Sequence, residues 1–319
     1  MHPTRSLSFA ALVLAGVACG QTPPAGPPPP LVCNGHTELC DRRYDAVAYP
    51  GTHNSYSDTD EHFGAPDQTH DITRQLDDGI RVLHFEVHRY NERGTVKVFA
   101  CHGVCDLGRQ LFVDEMKKVA DFMAANPHEV VSLLLERSDD LVTAGDLGEA
   151  MKQAGLSPYL HTQAPGEPWP TLGAMVEKGD RLVAFLDDPS GSSEAWLLPR
   201  WDWTWETPWD NDVPADFARC DADRGTQGNS LYVVDTYLED LVIPNVEHGK
   251  LVNYDPFLID RVLTCQQATS TLPNFVLVNF YEVSDLFHVV EVLNGFAAGP
   301  QSIEGFPPAS FDGGLPDAG

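Results

Sequence analysis

The sequence predicts an α/β fold and, within that class, a barrel. Three observations carry the expectation. Strand-like and helix-like stretches alternate along most of the chain, as in folds that cross from one parallel strand to the next. Several strand candidates are continuous apolar runs, among them Val130-Val131-Ser132-Leu133-Leu134-Leu135 and Phe275-Val276-Leu277-Val278, which suits strands covered on both faces. Once the terminal segments are set aside, residues 31–298 remain, long enough for one large domain with a full core. Periodicity alone leaves a doubly wound sheet open beside the barrel.

Taken in order, strands are expected at 45–49, 80–88, 95–101, 130–136, 181–187, 230–236 and 275–281. A helix over 71–77 ends at Asp78-Gly79, where glycine supplies a left-handed cap. The 114–125 stretch carries Met116, Val119, Ala120 and Met123 at helical spacing and stops before Asn126-Pro127. Helices over 145–153, 171–178, 255–268 and 284–295 fill the later slots. Residues 188–229 are irregular and read as an elaborated loop. No internal repeat is visible.

Residues 1–18 have the build of a signal peptide: His2 and Arg5 at a short polar start, an apolar run from Leu7 to Val17, then Gly16-Val17-Ala18 before Cys19. That run is too short for a permanent membrane span. The small residues before Cys19 are similar to a bacterial lipobox, with Gly16 where leucine is usual, so lipidation of Cys19 is expected ahead of simple secretion. Residues 19–30 are proline-rich and polar, an extended tether that lifts the barrel off a membrane. Residues 299–319 lack apolar periodicity and are expected to be disordered. The expectation is an exported monomer, either a membrane-anchored lipoprotein (periplasmic or cell-surface) or a secreted protein.

The formal charge of −27 argues against nucleic acid, whose phosphates demand a basic surface. It is compatible with cation binding, although solubility is the plainer reading of the acidity. Setting Cys19 aside leaves six of the seven cysteines. Cys33 with Cys40 and Cys101 with Cys105 are local pairs, and Cys220 with Cys265 then remains. Six cysteines permit many connectivities, so this is the economical choice. Zinc binding is the rival, but the spacing is not finger-like and export favours oxidation.

If the strands run parallel, their C-terminal ends and the loops that follow share one face. His53 and Asn54, in Pro50-Gly51-Thr52-His53-Asn54-Ser55-Tyr56, follow the first strand. In the next strand His84, Glu86 and His88 project to one side, because the strand period is two. His102 follows the 95–101 stretch, Glu136 ends the Val130 run and Asn279 ends the Phe275 run. Oxygen donors from Asn54, Glu86 and Glu136 suit a hard cation, Ca²⁺ or alternatively Mg²⁺, and paired histidines suit proton transfer at phosphoryl oxygens. Plainer readings stand beside these. Glu86 and Glu136 need a basic partner or a cation at buried strand ends, and Arg81 and Arg137 are the nearby candidates. Arg89 reads as solvated, and Trp196, Trp201, Trp203, Trp205 and Trp209 read as loop packing before an aromatic rim. Asp235, near the end of the 230–236 strand, has no role assigned.

The order Gly51-Thr52-His53-Asn54-Ser55, Gln75-Leu76-Asp77-Asp78-Gly79-Ile80-Arg81, Cys101-His102-Gly103 and Leu133-Leu134-Leu135-Glu136 resembles the phosphatidylinositol-specific phospholipase C X domain. The match looks closest to the secreted or anchored phospholipase-C-like phosphodiesterases of bacteria and plants. Trp169-Pro170-Thr171-Leu172, Arg181-Leu182-Val183-Ala184-Phe185 and Pro273-Asn274-Phe275 extend the resemblance over most of 44–298. It implies an irregular TIM barrel and cleavage of a phosphodiester by a neighbouring hydroxyl. It puts His53 and His102 at the two catalytic-histidine positions, and Asn54, Glu86 and Glu136 at the calcium-ligand positions of the metal-dependent branch.

Two positions depart from the family pattern. His84 stands where the eukaryotic enzymes carry another carboxylate ligand, so imidazole serves there or the cation has fewer anionic ligands. Asn279 stands where an aspartate commonly orients the first histidine, which makes Glu136 or a metal-bound water a second candidate for the base. The expected function is metal-assisted phosphodiester cleavage, on a phosphoinositide or related lipid. A catalytically weakened surface binding module, and a glycerophosphodiesterase or sphingomyelinase-D-like enzyme, are the alternatives.

Overall fold

Eight strands, most of them apolar, pair in parallel and curl into a barrel wall, with helices packed outside it. The computed structural model describes residues 30–137, 141–188, 194–239 and 245–300. The signal segment, Cys19, the tether up to residue 29 and the tail from 301 lie outside the described residues. The first half runs β1 (Tyr49–Thr52), α1 (Ile72–Asp78), β2 (Val82–Glu92), β3 (Thr95–Ala100), β4 (Gln110–Leu111), α2 (Phe112–Ala125), β5 (Val131–Arg137) and α3 (Ala144–Ala154). The second runs α4 (Leu172–Lys178), β6 (Leu182–Leu186), β7 (Leu197–Pro199), α5 (Arg200–Trp203), β8 (Thr204–Glu206), β9 (Arg224–Gly225), β10 (Leu231–Thr236), α6 (Val246–Val252), α7 (Phe257–Thr269), β11 (Pro273–Val278) and α8 (Leu286–Leu293).

The parallel wall has the order β7-β6-β5-β2-β1-β11-β10-β8. Among the described residues β7 and β8 do not pair with each other, and the chain passes between them through the single turn of α5. The barrel is therefore irregular, with one open seam. Outside the parallel set, β3 returns antiparallel along β2, β4 lies on β3, and β9 lies antiparallel on β8.

Three expectations change. The 95–101 stretch is the return arm of a hairpin and not a barrel strand. The first strand starts at Tyr49, not at 45: Tyr44–Ala46 is a 3-10 turn, and the Asn294 side chain takes both the N–H and the carbonyl of Ala48. Ladder bonds to β11 are free to begin only after that residue. The 188–229 region holds β7, α5, β8 and β9, whose strands are two or three residues long. A strand that short completes no period, so its pattern cannot be told from a loop.

Strand alternation divides the apolar side chains between two cores. Leu83, Phe85, Leu133, Leu135, Val276 and Val278 face outward and pack with Leu76, Met116, Val119 and Met123 of the helices. Val82, Leu134, Phe185, Val233, Phe275 and Leu277 face inward with Tyr44, Tyr49 and Trp169. Each such burial contributes roughly 1.5–3 kcal/mol. Two residues further along the same inward faces, the side chains turn polar: His84 after Val82, Glu136 after Leu134, Asp235 after Val233 and Asn279 after Leu277. This change of polarity puts the chemistry at the C-terminal mouth of the barrel. Gly51 makes room for it, because a Cβ there would lie 2.9 Å from Val82 Cβ and overlap Leu277 Cδ2.

Helix ends follow local chemistry. Asp71 caps α1 by accepting from Arg74 N, and Gly79 ends it at φ 117°. Disulfide bonds join Cys33 to Cys40, Cys101 to Cys105 and Cys220 to Cys265. No helix among the described residues is long and apolar enough to cross a membrane.

Candidate active site

The turn after β1 is held from beneath by two buried carboxamides. Gln68 Nε2 donates to His53 O at 2.8 Å and to Val278 O at 3.1 Å. Gln75 Nε2 donates to Ser55 O at 2.7 Å. Asn54 takes a left-handed φ of 40°, a conformation asparagine tolerates better than most residues. His53 therefore continues the inward face of β1, stacked flat on Tyr237 with ring centroids 3.9 Å apart.

β2, which pairs with β1, and β5 beyond it bring Glu86 and Glu136 into register as direct neighbours. Glu86 accepts from Gly103 N at 3.3 Å, and His88 Nε2 lies 3.1 Å from its other oxygen. Glu136 lies 3.4 Å from His84 Nε2 and accepts from Arg224 Nη1 at 3.2 Å. Arg200 Nη1 stands 3.9 Å from it. Arg200 and Arg224 both also bind the fully buried Glu206, Arg200 at 2.6 Å. The basic partners of Glu136 are thus Arg224 and Arg200. Arg81 pairs instead with Glu129, and Arg137 with Asp188.

His102 reaches the cavity because the β2–β3 hairpin folds back and the Cys101–Cys105 bridge closes the turn after it. Its Nδ1 lies 3.3 Å from Asp67 Oδ2. The other oxygen of Asp67 accepts from Asn279 Nδ2 at 3.0 Å, and Asn279 Oδ1 lies 3.0 Å from His53 Nδ1. The two histidine rings meet nearly at right angles, with centroids 6.3 Å apart. His53, Asn54, His84, Glu86, His102 and Glu136 line one cavity of about 250 Å³ together with Arg200, Arg224, Asp235, Tyr237 and Glu239. Of the remaining sequence candidates, Asn279 sits behind His53, and His88 supports Glu86.

The environment separates the two imidazoles. Burial pushes His53 down to about 3, and His84 and His102 push the same way against Asp67. The Asp67 carboxylate beside His102 outweighs burial and raises it to about 9. At neutral pH His53 is a free base and His102 an acid. Burial pushes Glu239 up to about 7, and the nearby Asp67 charge adds to this. For Glu136 burial acts upward, but the His84 hydrogen bond and the His84, Arg224 and Arg200 charges together hold it below the usual carboxylate range.

Asn54, Glu86 and Glu136 offer hard oxygen donors on one side of the cavity, and the donor set suits a divalent cation of the Ca²⁺ or Mg²⁺ type. Among the described residues Asn54 Oδ1 receives only a long 3.4 Å bond from Tyr56 Oη, so it has capacity for a further partner. Among the described residues His88, Cys101 and Cys105 also cluster tightly, but both cysteines are consumed in a disulfide bond.

Several residues of the site lie outside the sequence-derived set. Asp67 and Gln68 come from the loop between β1 and α1, which has no periodicity to mark them. Arg200 and Arg224 come from the region read as irregular. Tyr237 carried a usable signal: it follows Asp235 by two and so shares its face. Of the tryptophans, Trp196, Trp203 and Trp205 are buried, and Trp205 stacks on Tyr232. Trp209 is 37% exposed and lines the cavity. Arg89 pairs with Asp146.

Comparison with known proteins agrees with this architecture. The chain is 30% identical over 318 residues to a PI-PLC X domain-containing protein of Arthroderma benhamiae, covering 91% of this chain and 97% of the relative. It is 28% identical to an uncharacterized secreted protein of the same fungus, over 92% of this chain and 71% of that one. A PI-PLC X domain-containing protein of Arabidopsis thaliana is 25% identical over 91% of this chain and 72% of its own length. Among solved structures, the phosphatidylinositol-specific phospholipase C of Listeria monocytogenes superposes with a TM-score of 0.55 at 13% identity, covering 82% of this chain and 96% of that one. The Staphylococcus aureus enzyme, as its F249X mutant, gives 0.51 at 15% identity over 80% and 94% of the two chains. Residues 39–294 match the PI-PLC X family model, and the chain belongs to that family.

Proposed function

We propose that this protein is an exported phosphoric diester hydrolase of the phospholipase C type, with His53 as general base and His102 as general acid. The observation that carries the reading is the placement of two histidines, His53 and His102, in one cavity with ring centroids 6.3 Å apart, beside Asn54, Glu86 and Glu136. His53 Nδ1 is engaged by Asn279, which leaves Nε2 to take the proton of a substrate hydroxyl as that hydroxyl attacks phosphorus. His102 gives its proton to the leaving oxygen. Glu136 is the weaker candidate for base, because His84 and Arg224 engage it and its carboxyl is held low. Asn54, Glu86 and Glu136 would hold Ca²⁺, with Mg²⁺ the alternative, and the cation would offset negative charge on the phosphoryl oxygens.

A hydroxyl-rich head group suits the floor of the cavity. Arg200, Arg224, Asp235 and Glu239 line it, and such a lining offers both hydrogen-bond donors and acceptors to a ligand. A phosphoinositide or related lipid matches that lining. Export is supported by the secreted fungal relative and by the leader-like start of the chain.

The test is a panel of inositol, glycerol and choline phosphodiesters assayed with Ca²⁺, Mg²⁺ or chelator. His53→Ala and His102→Ala should each lower kcat by about 10²–10⁴-fold. Undiminished cleavage by both variants would refute the assignment. A second reading, a weakened binding module, is favoured by the hold of Arg224 and His84 on Glu136. Cation-dependent ligand binding without turnover of any substrate in the panel would select it.

A further inference from the structure

We propose that Asp67 is a positioning residue shared by both histidines: one carboxylate oxygen orients the Asn279 amide that holds His53, and the other holds His102. The inference rests on the reading of His53 and His102 as the proton-transfer pair. Asp67 is 1% exposed, and its loop is tied down on both sides. Its N–H donates to Ser57 O at 2.8 Å, and its carbonyl accepts from Phe280 N at 2.9 Å, directly after Asn279.

The hydrogen-bond logic runs in one direction. A carboxylate oxygen only accepts, so the 3.0 Å contact between Asp67 Oδ1 and the Asn279 side chain turns the amide nitrogen toward Asp67. The amide oxygen then faces His53 Nδ1 at 3.0 Å, and it too can only accept. His53 must therefore carry its hydrogen on Nδ1, which leaves the Nε2 lone pair facing the cavity. Asp67 Oδ1 is itself 3.9 Å from His53 Nδ1, too far to bond directly, so the orientation is passed on through the amide. Asp67 Oδ2 lies 3.3 Å from His102 Nδ1, an ion-pair contact without hydrogen-bond geometry, and has no hydrogen-bond partner among the described residues. The anion beside Nδ1 favours a positive ring at His102, with Nδ1 turned to Asp67 and Nε2 kept for the leaving group.

This arrangement accounts for asparagine at position 279. The anion that the family places next to the first histidine stands here one residue further back, where it serves both rings. When His53 gains a proton and His102 loses one, the summed charge of the two imidazoles around Asp67 does not change. One buried carboxylate can therefore stay compensated through the whole transfer, whereas a partner of His53 alone would be compensated at only one end of it.

The experiment is ¹⁵N NMR of the histidine ring nitrogens, without substrate, combined with kinetics on a water-soluble phosphodiester. In the unsubstituted protein both His53 and His102 should be protonated at Nδ1. An Nε2–H tautomer at His53 overturns the proposal, however any variant folds. Asp67→Asn keeps the shape but can present either NH₂ or oxygen, so His53 should become a mixture of tautomers, and kcat should fall about 10²-fold with KM within about threefold. The double variant Asp67→Asn with Asn279→Asp returns an anion to His53 alone. It should restore the His53 tautomer but not the signature of His102. If Asp67→Asn keeps both the tautomers and kcat, Asp67 has no positioning role. If the unsubstituted protein cleaves no phosphodiester, the functional reading fails, while the NMR result still decides the hydrogen-bond assignment.

Discussion

Arg200 shows how much a single side chain carries at this site. It is 1% exposed, donates to the fully buried Glu206 at 2.6 Å and stands 3.9 Å from Glu136. Removing one member of a buried pair leaves an uncompensated charge, which commonly costs about 3–5 kcal/mol. Arg224 remains on both carboxylates after the change, so Arg200→Met should lose about 3 kcal/mol, the low end of that range. Urea unfolding measures it. The contrast is Arg74→Met, whose side chain is 62% exposed in its pair with Asp78 and which should stay within about 0.5 kcal/mol. A loss at Arg200 no larger than that at Arg74 would mean that the Glu206 pair contributes nothing to the fold. Arg200 and Arg224 were not legible beforehand, because neither sits at the end of a recognisable strand. Their role depends on α5 and on β9, which lies on β8, placing them against Glu136.

Between the β1–α1 loop and α2 lies a buried charge cluster that makes this packing sensitive to pH. Lys118 Nζ lies 3.0 Å from Glu115, 3.6 Å from Asp71 and in hydrogen-bond contact with Glu61, with Asp58 alongside. Burial pushes Glu115 up to about 8 and Asp58 up to about 7, and Lys118 only partly offsets this. Both folded values exceed those of the unfolded chain, near 4. The unfolded state therefore releases these protons first, and stability falls as pH rises from about 4 through about 8. Lys118 stays charged throughout that window, so its contribution does not change the slope. Glu115→Gln should remove about 2–4 kcal/mol of the difference in stability between pH 5 and pH 8. Urea midpoints at the two pH values test this, and an unchanged difference would assign the slope to other groups. The α2 helix was legible from Met116, Val119 and Met123, which all face the core. Glu115, buried on the same helix, was not, because only the loop packed over it buries its carboxyl.

For the molecule as a whole, 47 acidic residues against 20 basic ones leave a net charge of −27. Self-repulsion of that size destabilises the compact state, and salt screens it. The melting temperature should therefore rise by several degrees as NaCl increases from about 0.01 to 0.3 M, over which the Debye length falls from about 30 Å to below 8 Å. Differential scanning calorimetry measures the shift, and a flat or falling Tm would show that local ion pairs outweigh the global term. The sequence by itself determined the α/β class, the order of the long strands and helices, and His53, Asn54, Glu86 and Glu136 as residues of one face. These follow from period and position along a strand, which are local properties. Only the tertiary structure decided that 95–101 turns back as a hairpin, that two- and three-residue strands complete the parallel wall, and that Asp67, Arg200 and Arg224 reach the cavity. Those outcomes depend on which distant backbone groups find partners and on which charges are buried together, and neither is written in the spacing of any one segment.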